Sequence, residues 1–131
     1  MGKKPKILVV GSFVMDQIVT TRVFPRQGQT ILAERFNKAP GGKGANQALQ
    51  CARLGAEVTM VGCVGDDLFG RQLLEPLQNA GVDTSHVIVR SDCHSGVGHV
   101  TLAVSGHTAQ NRIIVIPGAN LTLKASEVSW L

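Results

Sequence analysis

Positions 7–10 carry an unbroken run of aliphatic residues, Ile-Leu-Val-Val, which stops at Gly11 and Ser12. A run of this kind is typical of a strand that is buried on both faces, as at the centre of a parallel sheet. Parallel strands need long crossover connections, which are usually helices. Strand-like and helix-like segments alternate along the rest of the chain and supply such connections. The sequence therefore predicts an α/β fold, in which helices cover both faces of a parallel sheet.

Two segments have the apolar spacing of helices. In residues 45–52, Ala and Leu recur every three or four positions. The second helix follows Asp66 and Asp67, either of which can cap it, and extends to Ala80. Pro76 lies inside this second helix, and an interior proline costs about 3 kcal/mol. We therefore expect the second helix to kink or to end early at Pro76.

The remaining segments are extended or turn-like. Short strands are predicted at 57–61 and 86–90, and Thr122 can cap a final helix. Residues 13–21 and 30–36 predict a half-exposed antiparallel ribbon, and two further strands are predicted at 97–104 and 112–116. In this ribbon the second strand starts at Thr30, and the two further strands form a hairpin.

Composition excludes several classes of protein. The chain has 131 residues, enough for one domain, and its 44% of hydrophobic residues exclude a disordered chain. No apolar run approaches the ~20 residues of a membrane span. The net charge of +4 favours anionic partners, but four Phe and one Trp offer few surfaces for stacking bases. We expect neither a membrane nor a nucleic-acid partner.

Cysteine and histidine usage bears on compartment and on metal binding. Cys51, Cys63 and Cys93 lack the spacing of a disulfide framework or a zinc motif, and the four histidines add no zinc signature. Unpaired cysteines of this kind are typical of a reducing compartment. We therefore expect a cytoplasmic protein with no metal ion bound by this chain.

The densest chemical signal is the segment 41–48, Gly-Gly-Lys-Gly-Ala-Asn-Gln-Ala, at the start of the first helix. Glycines there let the backbone approach a ligand closely, and helix N–H groups attract oxygen-rich or anionic groups. The segment is not a Walker A loop, because Lys43 precedes Gly44 rather than Ser or Thr. It is not a dinucleotide fingerprint either, because Gln47 stands in place of the third glycine. On its own it predicts a ligand site without identifying the ligand.

With its surroundings, this segment resembles the first signature of the PfkB/ribokinase family of carbohydrate kinases. The resemblance extends from residue 7 to residue 122 and is closest to the ribokinases. It rests on Gly11, Ser12 and Asp16, on residues 41–48 with Gly55 and Gly65, and on residues 62–70 and 117–120. It implies a ribokinase-like, Rossmann-like sheet with a small antiparallel β-lid that closes over a sugar. The lid strands would lie near 13–21, 30–39, 97–104 and 112–116.

The resemblance also implies a sugar site. The carboxylate of Asp16 would accept hydrogen bonds from neighbouring sugar hydroxyls, which its two oxygens allow. Gly42 would contact the sugar through its backbone, and Lys43 and Asn46 through their side chains. Without the family pattern, Asp16 is an edge-strand charge, Lys43 a surface lysine and Asn46 an ordinary helix residue.

Two further positions, Gly98 and Val100, match those that line the apolar side of the sugar. Asn111 and Asn120 are most simply turn formers. We do not expect either asparagine to bind the sugar.

The implied reaction of the full-length protein is the transfer of the ATP γ-phosphoryl group to ribose, giving ribose 5-phosphate and ADP. Mg²⁺ and a monovalent cation, K⁺, are its expected cofactors, and pairing through the β-lid makes a homodimer the expected assembly. The family's catalytic aspartate and ATP pocket lie in a C-terminal half that has no counterpart here. We therefore expect residues 1–131 to be the N-terminal part of a single domain, without a catalytic residue and inactive alone.

Several alternatives remain open. Val14 stands where ribokinases usually have Asn, which removes one hydrogen bond to a sugar hydroxyl. Ribose remains the expected sugar, and 2-deoxyribose, another pentose or a nucleoside are the alternatives. A different class of function is a non-catalytic module that binds sugar or pairs with full-length subunits.

Overall fold

The computed structural model describes residues 2–131, which form two sheets joined by short links. The strands are β1 (Lys6–Val10), β2 (Val14–Thr21), β3 (Arg35–Gly41), β4 (Glu57–Gly65), β5 (Val87–Arg90), β6 (Gly96–Ser105) and β7 (Thr108–Ile116). The helices are α1 (Lys43–Arg53) and α2 (Leu68–Asn79), followed by 3₁₀ helices at Gly118–Thr122 and Ala125–Val128. Among the described residues, no helix has both the length and the apolar content to cross a bilayer.

The first sheet is parallel and has the order β1-β4-β5, with Val9 of β1 paired to Met60 of β4. Helices α1 and α2 contact each other on one face of this sheet. Ala48 of α1 and Leu73 and Leu77 of α2 are buried in one cluster with Val9 and Met60. Burial of each such aliphatic side chain contributes about 1.5–3 kcal/mol. Together with the second sheet, this arrangement confirms the predicted fold class.

The prediction that the first strand is buried on both faces is wrong for this chain. The side chains of Leu8 and Val10 are 45% and 49% exposed, whereas Val9 between them is buried. Within residues 2–131, β1 pairs only with β4, and both α-helices lie on the Val9 side. The 3₁₀ helix Gly118–Thr122 packs instead against β4. The aliphatic run therefore predicts the strand correctly. The expectation that both of its faces are covered is wrong.

The second sheet, which we call the lid sheet, has the order β3-β2-β6-β7. Its outer pairs are antiparallel, as predicted, but β2 and β6 run parallel, so the sheet is mixed. In this register Asp16 of β2 lies between Ala39 of β3 and Gly98 of β6. Val115 of β7 pairs with Gly98 on its other side. The alternation of β-strand side chains places all four residues on one face.

The second strand of the lid sheet starts later than predicted. It begins at Arg35 rather than Thr30, and it extends to Gly41. Its register is set by β2, because Arg35 pairs with Thr20 and Gly41 with Val14. Residues 30–33 lie beyond the partner strand and form a loop, in which Leu32 is 95% exposed.

Helix α2 does not end at Pro76 but continues to Asn79. The buried side chains of Leu73 and Leu77 hold its last turns against the core, which offsets the cost of an interior proline of about 3 kcal/mol. At its start, the carboxylate of Asp67 accepts a hydrogen bond of 2.7 Å from the N–H of Gly70. Asp67, rather than Asp66, is therefore the cap.

The expected helix after Thr122 is wrong as well, because two 3₁₀ helices occupy this region. The Thr122 hydroxyl closes the first of them by donating to the carbonyl of Ala119, at 2.7 Å. It also accepts a hydrogen bond of 2.9 Å from Nε of Arg90 at the end of β5. Arg90 forms a 2.7 Å ion pair with Glu127 in the second 3₁₀ helix. These contacts favour a tight connection to β5 over a longer helix.

Candidate functional site

A cleft of about 440 Å³ opens between the start of α1 and one face of the lid sheet. This volume lies within the usual range of about 300–1,000 Å³ for small-molecule sites. The cleft is lined by Ser12, Val14, Asp16, Gly42, Lys43, Asn46, Ile113 and Val115. Four residues predicted for the sugar site from the sequence, on β2 and α1, thus come together around one space.

Asp16 lies half-buried in the middle of β2 and has small neighbours. A Cβ atom at Gly41 would lie 3.1 Å from its Oδ2, and a Cβ atom at Gly98 would overlap its Oδ1. Burial raises the pKa of Asp16 above its ordinary value. No ion pair within residues 2–131 includes this carboxylate. Two glycines thus make room for its oxygens, and its charge is available to a ligand.

Gly42 brings the N-terminus of α1 against the link between β1 and β2. Its φ of 98° lies in the left-handed region, and a Cβ atom here would overlap the carbonyl oxygen of Ser12. The N–H of Ala45 donates to that same oxygen at 3.2 Å, and the N–H of Asn46 donates to the carbonyl of Gly42 at 2.9 Å. Within the described chain, this helix end has no side-chain cap and no acidic residue in its first turn. No carboxylate of the first turn therefore neutralises the positive dipole end of α1, which borders the cleft.

Lys43 and Asn46 are three residues apart on α1, so they share one side of the helix. Both are exposed and both line the cleft. Among residues 2–131, no ion pair joins Lys43 to Asp16. An ammonium, an amide and a carboxylate group thus surround one space without neutralising one another.

The apolar side of the cleft is formed by Val14 with Ile113 and Val115 of β7. Gly98 and Val100 are not among the lining residues, although Gly98 lies directly behind Asp16. In the lid sheet, Val115 pairs with Gly98 and Ile113 pairs with Val100. The sequence analysis missed the two β7 residues. Pairing residues 112–116 with residues 97–104 in the predicted hairpin would have placed them opposite Gly98 and Val100.

The groups around the cleft are suited to binding a ligand with several hydroxyls. Within the described residues, no group of three or more His, Cys, Asp or Glu side chains could hold a metal ion. Carboxylate, amide and ammonium groups together accept and donate hydrogen bonds, as a ligand with several hydroxyls requires. The fold is that of an α/β protein, and the cleft beside its sheet has the volume and the mixture of polar and apolar groups typical of small-molecule sites.

Comparison with known proteins identifies the family. The family model described as pfkB family carbohydrate kinase matches residues 4–131. The chain belongs to the pfkB family of carbohydrate kinases. The resemblance read from the glycine-rich segment and its surroundings is therefore confirmed.

Individual relatives agree with this assignment. The chain is 46% identical over 114 residues to a ribokinase of Bacillus subtilis, covering 87% of this chain and 38% of the relative. It is 35% identical over 122 residues to a deoxyribokinase of Salmonella typhi, covering 93% of this chain and 39% of the relative. Among solved structures, Arabidopsis thaliana ribokinase complexed with ribose and ATP superposes with a TM-score of 0.78 at 36% identity, covering 90% of this chain and 38% of that one. The chain thus spans about two fifths of the length of these relatives.

Proposed function

We propose that this chain is the sugar-binding, N-terminal part of an ATP-dependent carbohydrate kinase, and that its sugar is ribose. The observation that carries the proposal is the half-buried carboxylate of Asp16, which two glycines leave room for and which faces the uncapped start of α1 across one cleft. The ribokinases among its relatives, and the plant ribokinase complexed with ribose and ATP, support ribose as the sugar.

Each polar group has a distinct role in holding the sugar. The two oxygens of Asp16 accept hydrogen bonds from neighbouring hydroxyls, and such charge-assisted bonds are the strong ones. Lys43 donates, whereas Asn46 can donate and accept. The backbone at Gly42 permits close approach, and the aliphatic side of the cleft packs against the C–H groups of the ring. A sugar held at several points keeps its primary hydroxyl in one orientation for attack.

In the proposed reaction, ATP transfers its γ-phosphoryl group to the primary hydroxyl of ribose, giving ribose 5-phosphate and ADP. ATP supplies the phosphoryl group, while Mg²⁺ and K⁺ accompany the nucleotide. We assign the nucleotide, both cations and the catalytic base to the part of the relatives' length that this chain does not span. The chain by itself then binds sugar without phosphorylating it.

Titration calorimetry with ribose tests the proposal directly. We expect the chain to bind ribose and the variant Asp16→Ala to bind it at least about tenfold more weakly, because charge-assisted hydrogen bonds are lost. Asp66→Ala is the matched control, since this exposed aspartate lies outside the cleft. Equal heats of binding from the native chain and Asp16→Ala would overturn the proposed site. Ribose-dependent ADP formation by the chain alone would overturn its assignment as a binding part.

A second candidate sugar is 2-deoxyribose, which Val14 favours. Val14 lines the cleft two residues before Asp16 and offers no hydrogen bond to a hydroxyl. A sugar with one hydroxyl fewer leaves no polar group unpaired against this side chain. The deoxyribokinase among the relatives supports this reading. Comparing the affinities for the two sugars in the same titration decides between them.

We further propose that two copies pair through the lid sheet in the cytosol. Strand β7 is an edge strand of that sheet, and Ile113, Ile114, Val115 and Ile116 along it are all at least 40% exposed. An exposed apolar edge strand is a template for pairing with another chain. Sedimentation should show a dimer, which Ile114→Lys dissociates and Leu32→Lys, in the exposed loop, does not. A monomeric native chain at high concentration would contradict the pairing.

A further inference from the structure

Phe13 lies in the link between the two sheets, outside the strand pairing of both. The pairing of β1 ends where the N–H of Gly11 donates to the carbonyl of Val61 at 3.0 Å, and that of β2 begins at Val14. The main chain of Phe13 pairs instead with a side chain. Its N–H donates to Oδ1 of Asn120 at 2.8 Å, and its carbonyl accepts from Nδ2 of Asn120 at 2.7 Å. One amide side chain thus imitates a neighbouring strand at this point.

The same amide also holds the exit from the lid sheet. Nδ2 of Asn120 donates a second hydrogen bond, of 2.8 Å, to the carbonyl of Pro117, directly after β7. A Cβ atom at Gly96, the first residue of β6, would overlap Nδ2 of Asn120. Asn120 therefore lies where three lid strands, β2, β6 and β7, join the rest of the protein. Its replacement by a side chain without these hydrogen-bonding groups would leave main-chain groups unpaired.

This junction is adjacent to the cleft but does not line it. The Phe13 side chain is fully buried and turned to the core, so the alternation of the strand directs Val14 and Asp16 to the cleft. A Cβ atom at Gly42 would lie 2.9 Å from Cα of Phe13, so the start of α1 packs directly on this residue. The orientation of Phe13 therefore sets how Asp16 faces α1.

We propose that Asn120 is a positioning residue for the sugar site: by holding both main-chain groups of Phe13, it fixes the direction in which β2 leaves the link and places Val14 and Asp16 against α1. This role rests on the proposed sugar-binding function. It differs from the turn-forming role that the sequence suggests for Asn120, because the bonds to Phe13 connect residues 107 positions apart.

The test compares Asn120→Asp and Asn120→Leu with matched changes at Asn111, an exposed residue of β7 that lies outside the cleft. Asn120→Asp keeps an acceptor for the N–H of Phe13 and loses both donated bonds when ionised. Asn120→Leu loses all three. All measurements are made on the full chain, at a temperature where each variant is folded.

Two readouts are needed, one of them independent of sugar. In NMR spectra of the chain without ligand, we expect Asn120→Asp to shift the amide signals of Val14 and Asp16 and to speed hydrogen exchange at Phe13. In calorimetry, we expect ribose to bind both Asn120 variants about tenfold more weakly than the native chain, and the Asn111 variants unchanged. As pH falls towards about 4, the ordinary pKa of an aspartate, the introduced acid regains one donor, and the affinity of Asn120→Asp relative to the native chain at the same pH should recover in part.

The outcomes separate this proposal from the proposed function. Unchanged signals of Val14 and Asp16 in Asn120→Asp would overturn the positioning role, whether or not ribose binds. Faster exchange at Phe13 with native ribose affinity would overturn it as well. A native chain that binds no ribose, in which Asn120→Asp still moves the Val14 and Asp16 signals, would overturn the sugar while supporting the positioning role. If Asn120→Leu does not fold, Asn120→Asp alone carries the comparison.

Discussion

Gly98 lies opposite Asp16 across the parallel pair of β2 and β6, and a Cβ atom at position 98 would overlap the carboxylate oxygen Oδ1 of Asp16. We therefore expect Gly98→Ala to push this carboxylate out of place while leaving the strand pairing intact. Ribose affinity should fall about tenfold or more, because a charge-assisted hydrogen bond depends closely on geometry. Titration calorimetry of the variant measures the change.

The matched control for this change is Gly2→Ala, where an added Cβ atom meets no other atom within 4 Å. It should bind ribose as the native chain does. Native affinity in Gly98→Ala would mean that the position of the Asp16 carboxylate does not matter for sugar binding.

Asp16 should also show a conflict between binding and stability. Burial raises its pKa, so the folded chain holds this proton more tightly than the unfolded chain does. The stability that Asp16 contributes is full below the ordinary value of 3.8 and is lost as pH rises through the raised pKa. At neutral pH, Asp16→Asn should therefore raise the free energy of unfolding while it weakens ribose binding.

Urea unfolding of Asp16→Asn and the native chain at several pH values checks this sign. The difference between the two should be largest at neutral pH and should shrink at acidic pH, where the native carboxyl is protonated. The affinity of the native chain for ribose should weaken as the pH is lowered, because the carboxylate of Asp16 becomes protonated. A variant less stable than the native chain at neutral pH would contradict the argument.

We expect the side chain of Val14 to affect the preference between ribose and 2-deoxyribose. Val14→Asn adds a donor and an acceptor to the lining of the cleft beside Asp16. We expect the ratio of ribose to 2-deoxyribose affinity to rise about tenfold, because one new hydrogen bond favours the sugar with the extra hydroxyl. Paired titrations measure this ratio. Val14→Leu, which adds no polar group, should leave it unchanged.

Asp67 stabilises the fold away from the cleft. Besides capping α2, its carboxylate accepts hydrogen bonds from the N–H and the hydroxyl of Ser95, at 2.8 and 2.7 Å. Burial acts to raise its pKa, but the hydrogen bonds from Ser95 and Gly70 and the nearby His94 outweigh burial and lower it. We expect Asp67→Ala to cost about 1–3 kcal/mol of stability, from a lost cap and unpaired groups of Ser95.

Urea unfolding measures the Asp67 effect, with Asp66→Ala as its control. Since the pKa of Asp67 is lowered, its contribution to stability is present above 3.8 and is lost as pH falls through the lowered value. The difference between Asp67→Ala and the native chain should therefore narrow in strong acid. Equal losses from Asp66→Ala and Asp67→Ala would argue against a specific role for Asp67.

The local patterns of the sequence predicted much of the fold. The aliphatic run at residues 7–10 and the apolar spacing of 45–52 correspond to β1 and α1, because strand and helix periodicity are properties of neighbouring residues. The errors concern the pairing between strands. The second lid strand starts at Arg35 rather than Thr30 because its partner β2 ends at Thr21, so residues before Glu34 have no strand to pair with.

The same division applies to the candidate site. The order of Asp16 and the segment 41–48 along the chain identified the family and four residues of the cleft, because these motifs are contiguous or closely spaced. The register of the β6–β7 hairpin is local, but only the pairing of β6 with β2 brings Ile113 and Val115 to the same cleft as Val14 and Asp16. The amide of Asn120 bridging Phe13 and Pro117 required the link and the 3₁₀ helix to meet in space. Motif and periodicity depend on neighbours in the chain, whereas the cleft wall and the junction depend on contacts between residues about a hundred positions apart, which form only when both sheets are assembled.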